Sequence, residues 1–228
     1  MIDTTKLVTA WMRYWSSAPG GMDALIRLTL LVDDASSARF AFDDYVQAKP
    51  AAHRLLAQYG NSETAQELNA RGQETRARLF HHAKTFVVTA RRFGRLLEAV
   101  HAKRQDYPPA VVPAIRLAWR SSCATLEPFR HARNAVEHID GEITGANRRF
   151  LNLFDDKLEV IPGRTVAIAH AGLAVIEAAA ARITDAVCAP LDAHELVATR
   201  ASFVRLLVLR MIDLEFECAH NNTWSSPA

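Results

Sequence analysis

Apolar residues recur every three or four positions along most of this chain, the pattern of helices that bury one face. Residues 3–16 predict a short helix with Trp11 and Trp15 one turn apart, ended by Pro19-Gly20-Gly21. Residues 22–33 predict a second, with Leu25, Leu28 and Val32 on one stripe. Asp34 and Ser36-Ser37 mark a restart, Pro50 an interruption, and Gly60 closes residues 51–59. A long helical pattern fills 62–104, with Gly72 as a point of breakage and Leu79, Phe86, Phe93, Leu97 and Val100 as its apolar stripe.

Asp106-Tyr107-Pro108-Pro109 opens the next helix, since proline is tolerated in a first turn. That helix runs to Asp140 with Gly141 as its stop, and buries Leu126, Phe129, Ala132, Val136 and Ile139. From Phe150 to Ile161 the period shortens to two around Asp155-Asp156-Lys157, which predicts a β-hairpin. Thr165 then caps a helix reaching Pro190, and Asp192 with Glu195 opens a last helix to Cys218. The expected fold is all-α: one domain over residues 1–228, an up-and-down bundle of about seven helices with a small β-hairpin after the helix that ends at Asp140.

Composition agrees with helices. Glycine and proline together make 18 of 228 residues, below the usual share of about 12%, so turns are scarce. Cys123, Cys188 and Cys218 are far apart and form no CxxC pair, which fits a reducing compartment and gives no zinc ribbon. Glu217 and His220 make a single ExxH pair, too little for a di-iron bundle. There is no glycine-rich phosphate loop and no GxSxG elbow. No cofactor and no metal are therefore expected. The apolar stretch from Val166 to Ala181 carries His170 and Glu177 and is mostly alanine, so no membrane span is expected. The first residues do not read as a signal peptide, and the expected location is the cytoplasm. Trp11, Trp15 and Trp119 read as core or interface positions.

Charge changes the picture more. The formal net charge is only +2. Residues 71–109 nevertheless carry a net +6 and residues 110–150 a net +2, against −2 for 1–70 and −4 for 151–228. A basic block within a near-neutral chain is either a polyanion site or a solvated helix face neutralised by its acidic flanks. Inside it lies Arg130-His131-Ala132-Arg133-Asn134-Ala135-Val136-Glu137-His138. On a helix Arg130, Asn134 and His138 follow one another at single turns, and Arg133 stands one turn before Glu137. Histidine moves protons near neutral pH, and arginine holds phosphate with two donors. These are parts for binding or cleaving a phosphodiester without metal.

The same residues resemble the signature of the HEPN superfamily (higher eukaryotes and prokaryotes nucleotide-binding domain). That signature is an arginine, a polar residue, a few further residues and a histidine. The resemblance implies a helical frame over about 22–140, with the hairpin and C-terminal helices at 150–218 as an elaboration. It also implies a metal-independent endoribonuclease or RNA-binding protein of toxin or defence type, with an antitoxin or other protein as a possible partner. Two protomers would join their Arg–His helices into one RNA cleft, a homodimer. Arg133 would stabilise the scissile phosphate, His138 would act as base or acid at the ribose 2′-hydroxyl, and Asn134 would shape the site. Products would be a 2′,3′-cyclic phosphate and a 5′-hydroxyl. Arg130, Glu137, Arg91 and Arg95 would contact the substrate. A second reading stays open beside it. Arg133 and Glu137 make an ordinary helical ion pair worth about 0.2–0.5 kcal/mol, and a histidine near a helix C-terminus is favoured by the helix dipole. The chain would then be a non-catalytic helical protein-interaction module.

Overall fold

A computed structural model describes residues 3–58, 65–142, 152–154, 157–161 and 164–192, and describes side chains on the helix ending at residue 142 only as far as residue 130. Two compact units are present, residues 1–187 and 188–228, the second described only over 188–192. The described residues are mostly helical, as the sequence pattern requires.

Asp3 caps α1 (Thr4–Ala10) by accepting a hydrogen bond from the Lys6 amide at 3.1 Å. The chain then widens into a π-helical turn, Trp11–Trp15. Trp11 is buried edge-on to Tyr107, with ring centroids 6.2 Å apart, and the Trp15 indole donates to the Val187 carbonyl at 2.9 Å. The two tryptophans thus anchor the N-terminal segment, as core and interface residues.

One continuous helix, α2 (Gly21–Gln58), replaces the separate helices and breaks expected over 22–59. Asp34 does not cap a new helix. It is buried and paired with Arg92 at 2.9 Å, and burial nevertheless holds its carboxyl above the usual carboxylate value. Pro50 lies within the helix and removes one backbone donor without ending it. Packing of Leu25, Leu28, Leu31, Val32, Phe42 and Tyr45 into the core outweighs these local signals. The outward side of α2 carries the exposed apolar residues Met22, Ile26, Leu30 and Phe40.

The next helix, α3 (Ala65–Ala102), passes through Gly72 unbroken and buries Phe86, Phe93, Leu97 and Val100 as expected, with Leu79 half-buried. A 3₁₀ turn, Arg104–Asp106, and an extended Tyr107 lead into α4 (Val112–Glu142). The expected helix start at Asp106 fails for a local reason. A residue before proline is pushed out of the helical region, so Tyr107 and Pro108, which both precede prolines, stay extended or turned.

Three short strands follow, β1 (Asn152–Phe154), β2 (Lys157–Ile161) and β3 (Arg164–Ala167), antiparallel in the order β1-β2-β3. The first two make the expected hairpin. The third corrects the reading of Thr165 as a helix cap: Thr165 pairs with Glu159 in the sheet, and α5 begins at His170 and runs to Asp192. Leu158 and Val166 are cross-strand partners and both are buried, so alternation along β3 fixes its pairing. β2 and β3 lie against α4. The described chain therefore has five α-helices and a three-stranded sheet. The last expected helix, to Cys218, lies outside the described residues.

Named contacts give the helix directions within residues 1–187. Asp34 meets Arg92, Phe42 meets Phe86 and Asp44 meets His82, so α2 and α3 are antiparallel. Phe86 meets Phe129 and His101 meets Trp119, so α3 and α4 are antiparallel. Arg39 on α2 pairs with Glu177 on α5 at 2.8 Å, and Arg182 on α5 reaches Ser121 on α4 at 3.4 Å.

One close approach locks the N-terminus of α2 to the 3₁₀ turn. The Gly20 amide donates to the Asp106 carbonyl at 2.8 Å, and Arg27 pairs with the Asp106 carboxylate at 2.7 Å. A Cβ at Gly20 would stand 2.6 Å from the Asp106 Cβ and 2.8 Å from its carbonyl oxygen. Gly20→Ala is therefore expected to destabilise the fold by about 1–3 kcal/mol, read as a lower urea midpoint. A midpoint equal to that of the parent protein would show that the turn yields freely.

Candidate nucleic-acid interface

α4 carries the motif at its C-terminal end. Arg133, Asn134, Glu137 and His138 all lie on this helix, and their side chains fall outside the described residues. Arg130, the last described residue before them, is exposed and stands 3.9 Å from Glu127. The outer line of α4 runs through exposed Arg116, Arg120, Glu127 and Arg130. At the same helical spacing it continues through positions 134 and 138. Arg133 stands four residues beyond Phe129 and seven beyond Leu126, both of which are buried. By backbone phase its position is nearer the bundle side of the helix than those of Asn134 and His138.

The antiparallel register fixes where the basic residues of α3 stand. Gly94 lies beside Leu126, and His101 stacks on Trp119. Exposed Arg95 is thus level with the middle of α4, about 12 Å along the axis from position 133 at about 1.5 Å per residue. Arg91 is half-buried and one turn closer to the motif. The two arginines lie along the path leading to the motif rather than at its level. Arg92 turns to the other side, to Asp34.

A cluster that sequence reasoning did not single out sits at the far end of the same face. The rings of His101 and Trp119 stack at 5.4 Å with an interplanar angle of 18°. Both are half-buried, so of the core or interface position expected of Trp119 the structure shows no fully buried core residue. Arg104 donates to the His101 carbonyl at 3.2 Å, which satisfies a free carbonyl at the end of α3. Burial first, and then the positive charges of Arg104, Arg116 and Arg120, hold the His101 imidazole below the usual histidine value. Among the described residues no carboxylate lies within ion-pair distance of Arg116 or Arg120. The signal in the sequence was Arg116-x-x-Trp119-Arg120, one helical turn of basic and aromatic residues. It gains meaning only when the Tyr107-Pro108-Pro109 turn folds α3 back onto it.

The His101 shift has a consequence for stability. The unfolded chain protonates this histidine at a higher pH than the folded chain does. The stability it contributes is therefore present above the unfolded value and is lost as pH falls through the folded one. Between pH 7 and pH 5 the urea midpoint is expected to fall less in His101→Gln than in the parent protein. Identical pH profiles would show that His101 titrates as it does unfolded.

Of the adjacent histidines, His81 is exposed and His82 faces Asp44 at 3.8 Å. Asp43 stands 3.8 Å from Arg39. Arg27, held between Asp106 and the Tyr107 hydroxyl, belongs to the turn that locks α2. Asp155-Asp156, Glu217 and His220 lie outside the described residues. Among the described residues no three histidine, cysteine or carboxylate side chains converge as metal ligands, and no helix is long and apolar enough to cross a membrane. α5 meets α4 on its Ser121 and Phe129 side, leaving Arg116, Arg120 and Arg130 exposed. Comparison with protein-family models, with curated proteins and with solved structures finds no match.

Proposed function

We propose that this chain is a HEPN-like RNA-binding protein that cleaves RNA without a metal ion, acting as a homodimer. What supports this reading is that positions 134 and 138 of α4 continue, at helical spacing, the exposed basic line through Arg116, Arg120 and Arg130. Arginines along a helix neutralise phosphates and position a strand, and a histidine at its end supplies a proton carrier. His138 takes the proton of a ribose 2′-hydroxyl, and the 2′-oxygen bonds to phosphorus. The bond to the 5′-oxygen breaks, that oxygen takes a proton from solvent water, and His138 returns its captured proton to solvent, so the proton count closes. Arg133 offsets the charge that builds on the phosphate oxygens. The products are a 2′,3′-cyclic phosphate and a 5′-hydroxyl.

The test is incubation of single-stranded RNA with the purified protein in EDTA, with end-group analysis of the fragments. Cyclic phosphate ends formed in EDTA are the expected result. Absence of cleavage by the intact protein would overturn the nuclease reading and favour the non-catalytic helical interaction module, for which the exposed Met22, Ile26 and Leu30 of α2 are the supporting observation.

A further inference from the structure

We infer that the stacked His101–Trp119 pair, with Arg104, Arg116 and Arg120 around it, is a docking platform for single-stranded RNA, remote from the cleavage motif. The inference rests on the RNA reading above and extends it to a second subsite. Three features meet there. The two rings stack at 18° and both residues are only half-buried, with exposed charge beside them on α4. Arg116 and Arg120 stand one turn apart on the exposed line of α4, on either side of Trp119 in sequence. Arg104 donates to the His101 carbonyl at 3.2 Å and so brings a third guanidinium, and among the described residues no carboxylate lies within ion-pair distance of Arg116 or Arg120. A buried core tryptophan needs no such field, and a solvated helix face needs no aromatic stack. Together they suit a ligand with flat rings and regularly spaced negative charges. Bases stack on aromatic rings whatever their sequence, and phosphates bind arginine, so the platform selects single strands rather than a base order. An acidic peptide would use the arginines but not the rings.

The experiment measures binding of a fluorescent 2′-O-methyl uridine decamer by anisotropy. That probe lacks the attacking hydroxyl, so binding is read apart from cleavage. Arg116→Ala/Arg120→Ala is expected to raise Kd at least tenfold and to reduce the slope of log K against log salt by about 1.4, at about 0.7 per phosphate contact for a single strand. Lysine at both positions should restore the slope. Trp119→Leu should weaken binding about fivefold or more, and Trp119→Phe, which keeps an aromatic ring, should recover most of it. Two results would overturn the inference. One is a Kd within twofold of the parent in a double-alanine variant with unchanged circular dichroism and Tm. The other is poly-glutamate or inorganic polyphosphate of equal charge binding as tightly as the decamer. Failure of this subsite is separable from failure of the cleavage reading. Decamer binding that depends on Arg116 and Arg120 in a protein that cuts no RNA removes the nuclease and keeps the platform. Cleavage that the double-alanine variant leaves unchanged in KM does the reverse.

Discussion

His138→Ala is expected to lower the rate of RNA cleavage by about 10²- to 10⁴-fold, the span that general acid–base catalysis by a positioned side chain supplies. The loss should fall on kcat with KM nearly kept, because a proton carrier acts on the reacting atoms and contributes little to holding the strand. Arg133→Ala should also fall chiefly on kcat, since charge on the phosphate oxygens grows toward the transition state. Arg116 and Arg120 should show the opposite split, raising KM and leaving kcat in place. The measurement is single-turnover cleavage in EDTA across RNA concentrations, with circular dichroism to confirm folding. Equal rates for His138→Ala and the parent would remove His138 from the chemistry. A loss confined to KM would make it a binding group.

Phe86→Ala is expected to destabilise the protein by about 3–5 kcal/mol, the range for deleting a buried phenyl ring. Phe86 is fully buried on α3 and touches three other helices. Its ring lies 5.5 Å from Phe42 of α2 and 5.8 Å from Phe129 of α4. On the α5 side a Cβ placed on Gly172 would meet Phe129 at 3.4 Å and Phe86 at 3.9 Å, so the backbone already sits against these rings. Collapse around a lost ring would have to move several helices at once, which places the cost toward the upper part of the range. Urea unfolding measures it. A change below about 1 kcal/mol would show that the neighbours refill the space. Because Phe129 precedes the motif by one turn, the same variant is expected to lower cleavage beyond its effect on the folded fraction.

The apolar stripe of α3 was legible because it repeats at helical spacing and is buried as one surface: Phe86, Phe93, Leu97 and Val100 sit where the period puts them. Breaks were less legible. Pro50 and the Asp34-Ser36-Ser37 signals are local, and the long-range packing of α2 overrules them. Thr165 shows the same limit in the other direction. A threonine before an apolar run serves equally as a helix cap or as a strand residue, and only its pairing with Glu159 decides. The arginines of the candidate interface were countable in the sequence. Their division was not: Arg92 is committed to buried Asp34, while exposed Arg116 and Arg120 flank Trp119, which stacks on His101. That assignment depends on a fold-back at residues 103–111, which joins side chains distant in the chain. The motif itself was visible as residues, and its surroundings are a matter of helix phase.

α4 is a single helix from Val112 to Glu142, and this continuity makes it a ruler. From Trp119 to His138 the rise is about 28 Å at about 1.5 Å per residue. That distance matches about eight nucleotides at the stacked spacing of about 3.4 Å per nucleotide. A strand held at the platform would present its scissile bond to the motif only once it reached that length. Fragments shorter than the span would escape further cutting, so the protein would leave oligonucleotides of a set minimum size rather than degrade RNA to completion.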